Sequence, residues 1–302
     1  KPLFYSINKK EFVVSTYKSC IKRLNFNNIK KVPNNRFIQI ELNQNSFLES
    51  EIYKLDISNQ HKIDFSDWNI AFEEAINKRS KSKFKQFIAL SSGHDSGALG
   101  CAMNKLGIKY GSYTISKNEN ADIIKKRVSL NKKSKHKFIK LPNFIWIMLS
   151  KFNLRNAEDF TCSVENQISN KVINISYKSD KAANGLSEIC RRAKNDGYKI
   201  MISGQGPDEI FSDYGFNGRK FNSNSSFGGI FPKNLKEIFP WPNFFKNTME
   251  LYLMKEEMVA GAYGIETRYP FLDKKVIQEF LWLDHKLKNK LYKAPISNYL
   301  DQ

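Results

Sequence analysis

Gln86-Phe87-Ile88-Ala89-Leu90-Ser91-Ser92-Gly93-His94-Asp95-Ser96-Gly97 is the stretch on which the reading of the fold turns. Gln86 to Leu90 is apolar enough for a buried strand, and Gly97 to Leu106 has the pattern of a helix closed by Gly107. Between them stand only small or short polar residues. Such a turn lets the backbone approach a ligand closely, and the amides at the helix start favour an anion such as pyrophosphate. Asp95 inside an anion site is costly unless a cation accompanies it, which points to Mg²⁺ bridging to phosphate. Taken alone, the stretch also fits an ordinary strand-to-helix turn capped by Ser and Asp.

Working outward, the same grammar repeats. Phe65 to Arg79 carries Trp68, Phe72, Ala75 and Ile76 at helical spacing. Tyr110 to Ile115 is a second strand, Ala121 to Lys132 a helix, and His136 to Leu141 a third strand. Leu186 to Lys194 is a helix stopped by Gly197, leading into the strand Tyr198 to Ile202. Strands alternating with helices predict a doubly wound parallel α/β sheet. After about Phe239 the chain becomes mainly helical. Immediately beyond the fourth strand lies Ser203-Gly204-Gln205-Gly206-Pro207-Asp208-Glu209, a second glycine-bearing loop with an acid. In a sheet of order 3-2-1-4-5 the first and fourth strands are neighbours at the switch point where ligands bind. Asp95 and Asp208 then face one crevice, which two unrelated turns do not explain.

Residues 1 to 60 differ. Leu3 to Ser6, Glu11 to Ser15 and Arg36 to Leu42 are short strand-like runs, with a helix only around Thr16 to Leu24. A polar linker is expected at Ser58 to Asp64. The 302 residues suffice for one large domain or two smaller ones, and 13% aromatics exclude disorder. The longest apolar run, Phe144 to Leu149, is far short of the roughly 20 residues a membrane helix needs. No targeting signal is visible at Lys1. The four cysteines (Cys20, Cys101, Cys162, Cys190) and four histidines are scattered, which argues against a disulfide framework or a zinc site and for a reducing cytoplasm. The net charge is +19, but only nine of the 49 basic residues are Arg. Lysine spread almost evenly speaks for coding bias over nucleic-acid binding, although Lys125-Lys126-Arg127 and Lys132-Lys133 to Lys137 form a run that could touch phosphates.

Ser91-Ser92-Gly93-His94-Asp95-Ser96 resembles the S-G-G-x-D-S pyrophosphate loop of the ATP pyrophosphatase superfamily. Ser203 to Glu209 resembles the S-G-E-G-x-D-E segment of the asparagine synthetases, and Gly264-Ile265-Glu266-Thr267-Arg268-Tyr269-Pro270-Phe271-Leu272-Asp273 their V-E-A-R-x-P-F-L-D signature. The resemblance runs in order over residues 66 to 302. Residues 1 to 24, with Lys1 to Tyr5 and Ser15 to Lys18, resemble the end of the family's glutamine-hydrolysing domain. It implies two domains: residues 1–60, the C-terminal part of a class II glutamine-amidotransferase-like β domain, and residues 61–302, an ATP-dependent synthetase domain. The implied activity is a carbon–nitrogen ligase of amino-acid biosynthesis. It activates a carboxylate as an acyl-adenylate, releases pyrophosphate, and transfers ammonia or an amine. ATP and Mg²⁺ are the implied cofactors, with glutamine or ammonia as nitrogen source and a homodimer as one assembly. By resemblance Ser91, Ser92, Gly93, Asp95, Ser96, Ser203, Gly204 and Gly206 cradle ATP and pyrophosphate. Asp95 and Asp208 hold the metal. Lys293, in Leu291-Tyr292-Lys293-Ala294, matches the family's late Lys, and Glu257 falls near an acidic position with Glu256 beside it.

Two departures stand out. Ser92 replaces a loop Gly. Gln205 replaces the Glu of the true asparagine synthetases, and an amide cannot take a proton. That puts aspartate as the substrate in doubt and admits a divergent member, such as a β-lactam-synthetase-like or other amide-forming ligase. The competing readings are an RNA-modifying pyrophosphatase of the thiouridine or lysidine synthetase type, and a non-catalytic regulatory or scaffold homologue. The first shares the Ser91–Ser96 loop but not the two later motifs.

Overall fold

The computed structural model describes residues 2–8, 11–41, 46–116, 119–131, 135–140 and 154–302. The apolar run Phe144 to Leu149, and Lys132, Lys133 and Leu141, lie outside the described residues. Two compact units divide at Leu55 and Asp56. The first holds β1 (Phe4–Ile7), β2 (Phe12–Ser15), α1 (Lys18–Arg23), β3 (Lys30–Lys31), β4 (Arg36–Glu41) and β5 (Ser46–Glu51). Strands β2-β1-β3 form one antiparallel sheet and β4-β5 a separate hairpin. Phe4, Ile21 and Phe26 are its buried cluster.

The second unit begins with α2 (Ser66–Ser80), β6 (Lys85–Ala89), α3 (His94–Lys105), β7 (Gly111–Ile115), α4 (Ala121–Ser129) and β8 (His136–Ile139). A hairpin, β9 (Thr161–Asn166) and β10 (Lys171–Ser176), follows, then α5 (Lys181–Asn195), β11 (Tyr198–Ile202) and α6 (Pro207–Ile210). After the small pair β12 (Gly215–Phe216) and β13 (Arg219–Lys220) come α7 (Pro242–Phe245), α8 (Asn247–Ala262) and β14 (Glu266–Arg268). The last helices are α9 (Lys274–Trp282), α10 (His285–Lys290) and α11 (Ala294–Asp301).

The sheet order is β14-β11-β6-β7-β8, and every pairing in it is parallel. Numbered by first appearance, with β9, β10 and the β12–β13 pair outside this sheet, that is the order 3-2-1-4-5. The expected neighbours β6 and β11 pair directly. Phe87 and Ile88 point to opposite faces of β6 and neither is exposed, so both faces are covered by packed protein. Around α2, Trp68 stacks on Phe72 and Phe72 on Phe271, joining that helix to the turn before α9. Asp273 caps α9 through the Lys275 amide, and Val276, Phe280 and Leu283 are buried as its spacing predicts.

Three features differ from the sequence reading. The fifth strand, β14, lies within Glu266-Thr267-Arg268 of the late motif and had no strand-like period. The β9–β10 hairpin was also not foreseen. The stretch expected as a polar linker is tied to the second unit instead. The Asp56 amide donates to Gln278 Oε1, Gln60 Nε2 to the Pro232 and Lys233 carbonyls, and Lys62 bridges to Leu283. Gln60 and Lys62 spend their side chains on hydrogen bonds within the unit, while Ser58, Asn59, His61 and Asp64 stay exposed.

Candidate active site

The first loop follows from β6 ending at Ala89 and α3 starting at His94, with Gly93 in extended geometry before it. The loop is tied to itself. Ser96 Oγ accepts the Ser91 amide at 2.9 Å, and Ser91 Oγ accepts the Gly93 amide at 3.2 Å. Ser92 turns away, donating from its amide and hydroxyl to Glu119 at 2.5 and 2.6 Å. Arg127 reaches over from α4 to donate to the carbonyls of Ser91 and Gly93. Sequence had placed Arg127 in a run able to touch phosphate; its guanidinium instead clamps the loop backbone. The first-turn amides of α3 have no acceptors within the helix, so their positive end is available to an anion.

The second loop begins where Ser203 donates its amide to the Arg268 carbonyl at 2.9 Å. Gly206 sits at φ +113, where a side chain is strained and where a Cβ would meet Leu272 Cδ2 at 2.4 Å. That conformation turns the chain into α6, with Asp208 and Glu209 in its first turn. The two loops meet at Gly204, where an added Cβ would lie 3.3 Å from Asp95 Cβ and 3.4 Å from the Ser96 amide. Absence of a side chain is what lets them touch.

Lys293 joins both. It stands in the left-handed region, φ +47, immediately before α11. Its Nζ lies 2.8 and 3.0 Å from the oxygens of Asp95 and 2.7 Å from Asp208 Oδ1. The Lys293 side chain is only 5% exposed, against 21% for Asp95 and 35% for Asp208. Burial lifts Asp95 to about 6, Lys293 pulling it back down and Asp208 adding to the rise. Burial works against the Lys293 charge, but the two carboxylates outweigh it and hold its pKa above the ordinary lysine value. Tyr292, one residue earlier, donates to Asp208 Oδ1 at 2.9 Å.

A second layer of acids lies behind. Glu209 is 1% exposed and accepts from Tyr214 at 2.5 Å, and burial pushes its pKa up to about 7. Glu256 is raised to about 7 by burial, with hydrogen bonding from Ser203 and Gln205 offsetting part of the rise. Among the described residues one oxygen of each, Oε2, has no hydrogen-bond partner. Glu257 points elsewhere, accepting from Thr267 at 2.5 Å and Tyr269 at 3.1 Å.

Of the residues singled out from sequence, Asp95, Ser96, Gly204, Asp208 and Lys293 come together directly. Ser91, Gly93, Ser203, Gln205 and Gly206 frame them. Ser92 is engaged by Glu119, and Glu257 lies beside Thr267 and Tyr269. Tyr292, Glu119 and Glu209 were missed as site components, Arg127 was read only as part of a run that could touch phosphates, and Glu256 was named beside Glu257 without a choice between them. Adjacency to Lys293 and Asp208 was the available signal for Tyr292 and Glu209; nothing in the sequence signalled Glu119 or the role of Arg127. Among the described residues no three His, Cys, Asp or Glu side chains converge as a metal cage. Two carboxylates on one centre suit Mg²⁺, which takes one or two carboxylates and completes its shell from phosphate oxygens and water.

No protein-family profile matches the chain. Over 86 residues, 28% of this chain, it is 31% identical to the putative asparagine synthetase [glutamine-hydrolyzing] 1 of Methanocaldococcus jannaschii, covering 14% of that protein. Over 108 residues, 36% of this chain, it is 27% identical to the asparagine synthetase [glutamine-hydrolyzing] of Brassica oleracea, covering 17% of that one. The chain therefore matches well under a quarter of the length of these curated relatives. The solved structure of NMN synthetase from Francisella tularensis aligns with 75% of this chain and 95% of its own, at 14% identity and a TM-score of 0.33, too low to carry weight. The partial sequence matches support kinship with the asparagine synthetases in general and with no particular member.

Proposed function

We propose that the second unit is an ATP-dependent, amide-forming synthetase of the ATP pyrophosphatase type, related to the asparagine synthetases. The observation that carries this reading is the buried Lys293 ammonium shared between carboxylates from two neighbouring strand ends. Two acids and a cation at the switch point make a centre for a polyanion with its metal. A structural ion pair would not need the glycine-bearing loops that bring the acids together.

In the proposed reaction a carboxylate oxygen of the substrate attacks the α-phosphorus of ATP, and the bond to the β-phosphate oxygen breaks to release pyrophosphate. A nitrogen nucleophile then attacks the acyl carbon, loses a proton, and AMP leaves. Asp95 and Asp208 would hold Mg²⁺, which supplies neutralising charge on the phosphates. The Ser91–Ser96 loop and the first-turn amides of α3 would receive pyrophosphate, Ser203, Gly204 and Gly206 forming the opposite wall. Lys293 is placed to stabilise charge developing on the transferred phosphate and on the tetrahedral oxygen. Gln205 can only hydrogen-bond. Glu256, raised to about 7 by burial, keeps one carboxylate oxygen without a hydrogen-bond partner among the described residues, and it would take the proton from the incoming amine. Glu257 is held instead by Thr267 and Tyr269.

The first unit would be the end of a glutamine-amidotransferase-like domain, with glutamine or ammonia as nitrogen source. Four free thiols suit a reducing cytoplasm. No helix among the described residues is long and apolar enough to cross a membrane.

The test is pyrophosphate release from ATP and Mg²⁺ across a panel of carboxylic acids. Asp95→Asn and Asp208→Asn should each lower it at least about 100-fold, as expected for losing a charge on the phosphate centre. Near-normal turnover in both variants would remove the metal and phosphate assignment.

A further inference from the structure

The basic run Lys125-Lys126-Arg127 spreads its cations over different sides of α4. Lys125 and Lys126 are exposed, whereas Arg127 stands one helical turn after the fully buried Ile124 and shares its inward side. From there the guanidinium crosses onto α3. A Cβ added at Gly97 would meet Arg127 Nη2 at 2.3 Å and Cζ at 2.5 Å, and its three nearest atoms all belong to that side chain. Gly97 is the seat of the guanidinium.

What the guanidinium holds is the loop backbone. Arg127 Nη1 donates to the Ser91 carbonyl and, at 2.8 Å, to the Gly93 carbonyl. In a planar trans peptide the C=O and the following N–H point in opposite directions. Fixing the Gly93 carbonyl therefore aims the His94 amide, a first-turn donor of α3, away from Arg127. Fixing the Ser91 carbonyl likewise aims the Ser92 amide away, and there Glu119 Oε2 takes it at 2.5 Å together with the Ser92 hydroxyl at 2.6 Å. The Ser91–Ser92 peptide group is gripped at both ends, by a cation on its oxygen and an anion on its N–H. Asn120, next to Glu119, caps α4 and donates its own amide to Ser92 Oγ at 3.3 Å. Glu119 sets a negative charge beside an anion site, which by itself repels phosphate. Its return is geometric.

We propose that Arg127 and Glu119 are positioning residues for the pyrophosphate loop. Together they lock the Ser91–Ser92 and Gly93–His94 peptide groups so that the α3 amides already face the incoming phosphate. Ser92, standing where the related loop has Gly, is part of the lock, because its hydroxyl supplies the second bond to Glu119. Donors fixed beforehand spare the cost of ordering the loop at each binding event. This role rests on the loop receiving pyrophosphate in the proposed synthetase reaction.

The probe is pyrophosphate with Mg²⁺, titrated calorimetrically into the whole chain and its variants, beside thermal melts and amide hydrogen exchange of residues 86–97. Gly97→Ala pushes the guanidinium off its seat while every charge stays in the chain. It should weaken pyrophosphate about 10- to 100-fold, the scale of a misplacement of about 1 Å. Its Tm should stay near the parent's, because Ala suits a helix better than Gly and offsets the lost bonds. Glu119→Ala should also weaken pyrophosphate, although it removes a repelling charge, and should speed exchange of the Ser92 amide. Arg127→Met should weaken pyrophosphate at least as much as Gly97→Ala. The proposal is overturned if Gly97→Ala binds pyrophosphate like the parent, or if Glu119→Ala binds it more tightly, as a mere neighbouring charge requires. A parent that binds no pyrophosphate removes the synthetase reading instead. Loop exchange unchanged in both Gly97→Ala and Glu119→Ala overturns the lock by itself, so the two fail separately.

Discussion

Replacing Lys293 by Met keeps the length and the left-handed backbone but removes the ammonium that two carboxylates share. Breaking a fully buried ion pair costs about 3–5 kcal/mol, because the remaining charge is stranded. Asp95 and Asp208 are 21% and 35% exposed, so water recovers part of that, and about 2–3 kcal/mol is expected. For a unit of this size the loss corresponds to roughly 4–12 °C in Tm. The loss should depend on pH in a defined direction. Burial and Asp208 raise Asp95 to about 6 while Lys293 pulls it down, so the variant's Asp95 titrates higher still. The folded variant then holds a proton that the unfolded chain releases near the ordinary Asp value. Stability must rise as pH falls through that window. Thermal melts of parent and variant in EDTA at pH 7.5 and 5.5 measure this. The deficit should be plain at pH 7.5 and shrink by about half or more at pH 5.5. A deficit below about 1 °C, or one identical at both pH values, would mean that Lys293 does not hold the two charges, and the reasoning would fail.

Glu256 carries the next prediction. With a folded pKa near 7, above its unfolded value, its protonated form stabilises the fold, and that contribution fades as pH rises from about 4.5 to 7. Glu256→Gln should flatten this part of the Tm profile and raise Tm at pH 8; a parallel profile would show that Glu256 does not titrate there. Gly206→Ala forces a side chain into φ +113 against Leu272 and should cost about 2–4 kcal/mol in a urea unfolding midpoint. Gly264→Ala, at φ +68 with nothing within 4 Å, should cost only about 1 kcal/mol. Equal losses in the two variants would show that close approach to Leu272 is not what requires glycine.

The sheet was legible because its central strands are short apolar runs bounded by glycines, and because 3-2-1-4-5 is the order a strand–turn–helix series favours. The fifth strand was not: Glu266-Thr267-Arg268 is too short to show a period and earns its place by pairing with Ile200 to Ile202. The β9–β10 hairpin was hidden for a related reason. Val172 and Ile173 are both largely exposed, so no clean alternation marks a buried face. Choosing between Glu256 and Glu257 from sequence was not feasible either. From Met254 to Ala260 every residue of α8 is buried, so the helix has no polar side to which a functional acid could be assigned. Neighbours on a helix point about 100° apart, and only the packing reveals which of them meets Ser203 and Gln205.

The Lys293–Asp95 contact joins residues 198 positions apart, and the Asp56–Gln278 contact joins residues 222 apart. Closing such spans adds little to the equilibrium cost, since loop entropy grows only logarithmically with length. It weighs on the rate, because non-local pairings must be found before they are rewarded. The glycine loop after β6 can form early from nearby residues, yet it stays without its cation until the segment around residue 293 arrives. A chain emerging from the ribosome therefore passes through a stage in which Asp95 and Asp208 can face each other uncompensated. Divalent cations or nucleotide present during refolding should speed recovery of this centre more than they raise its final stability.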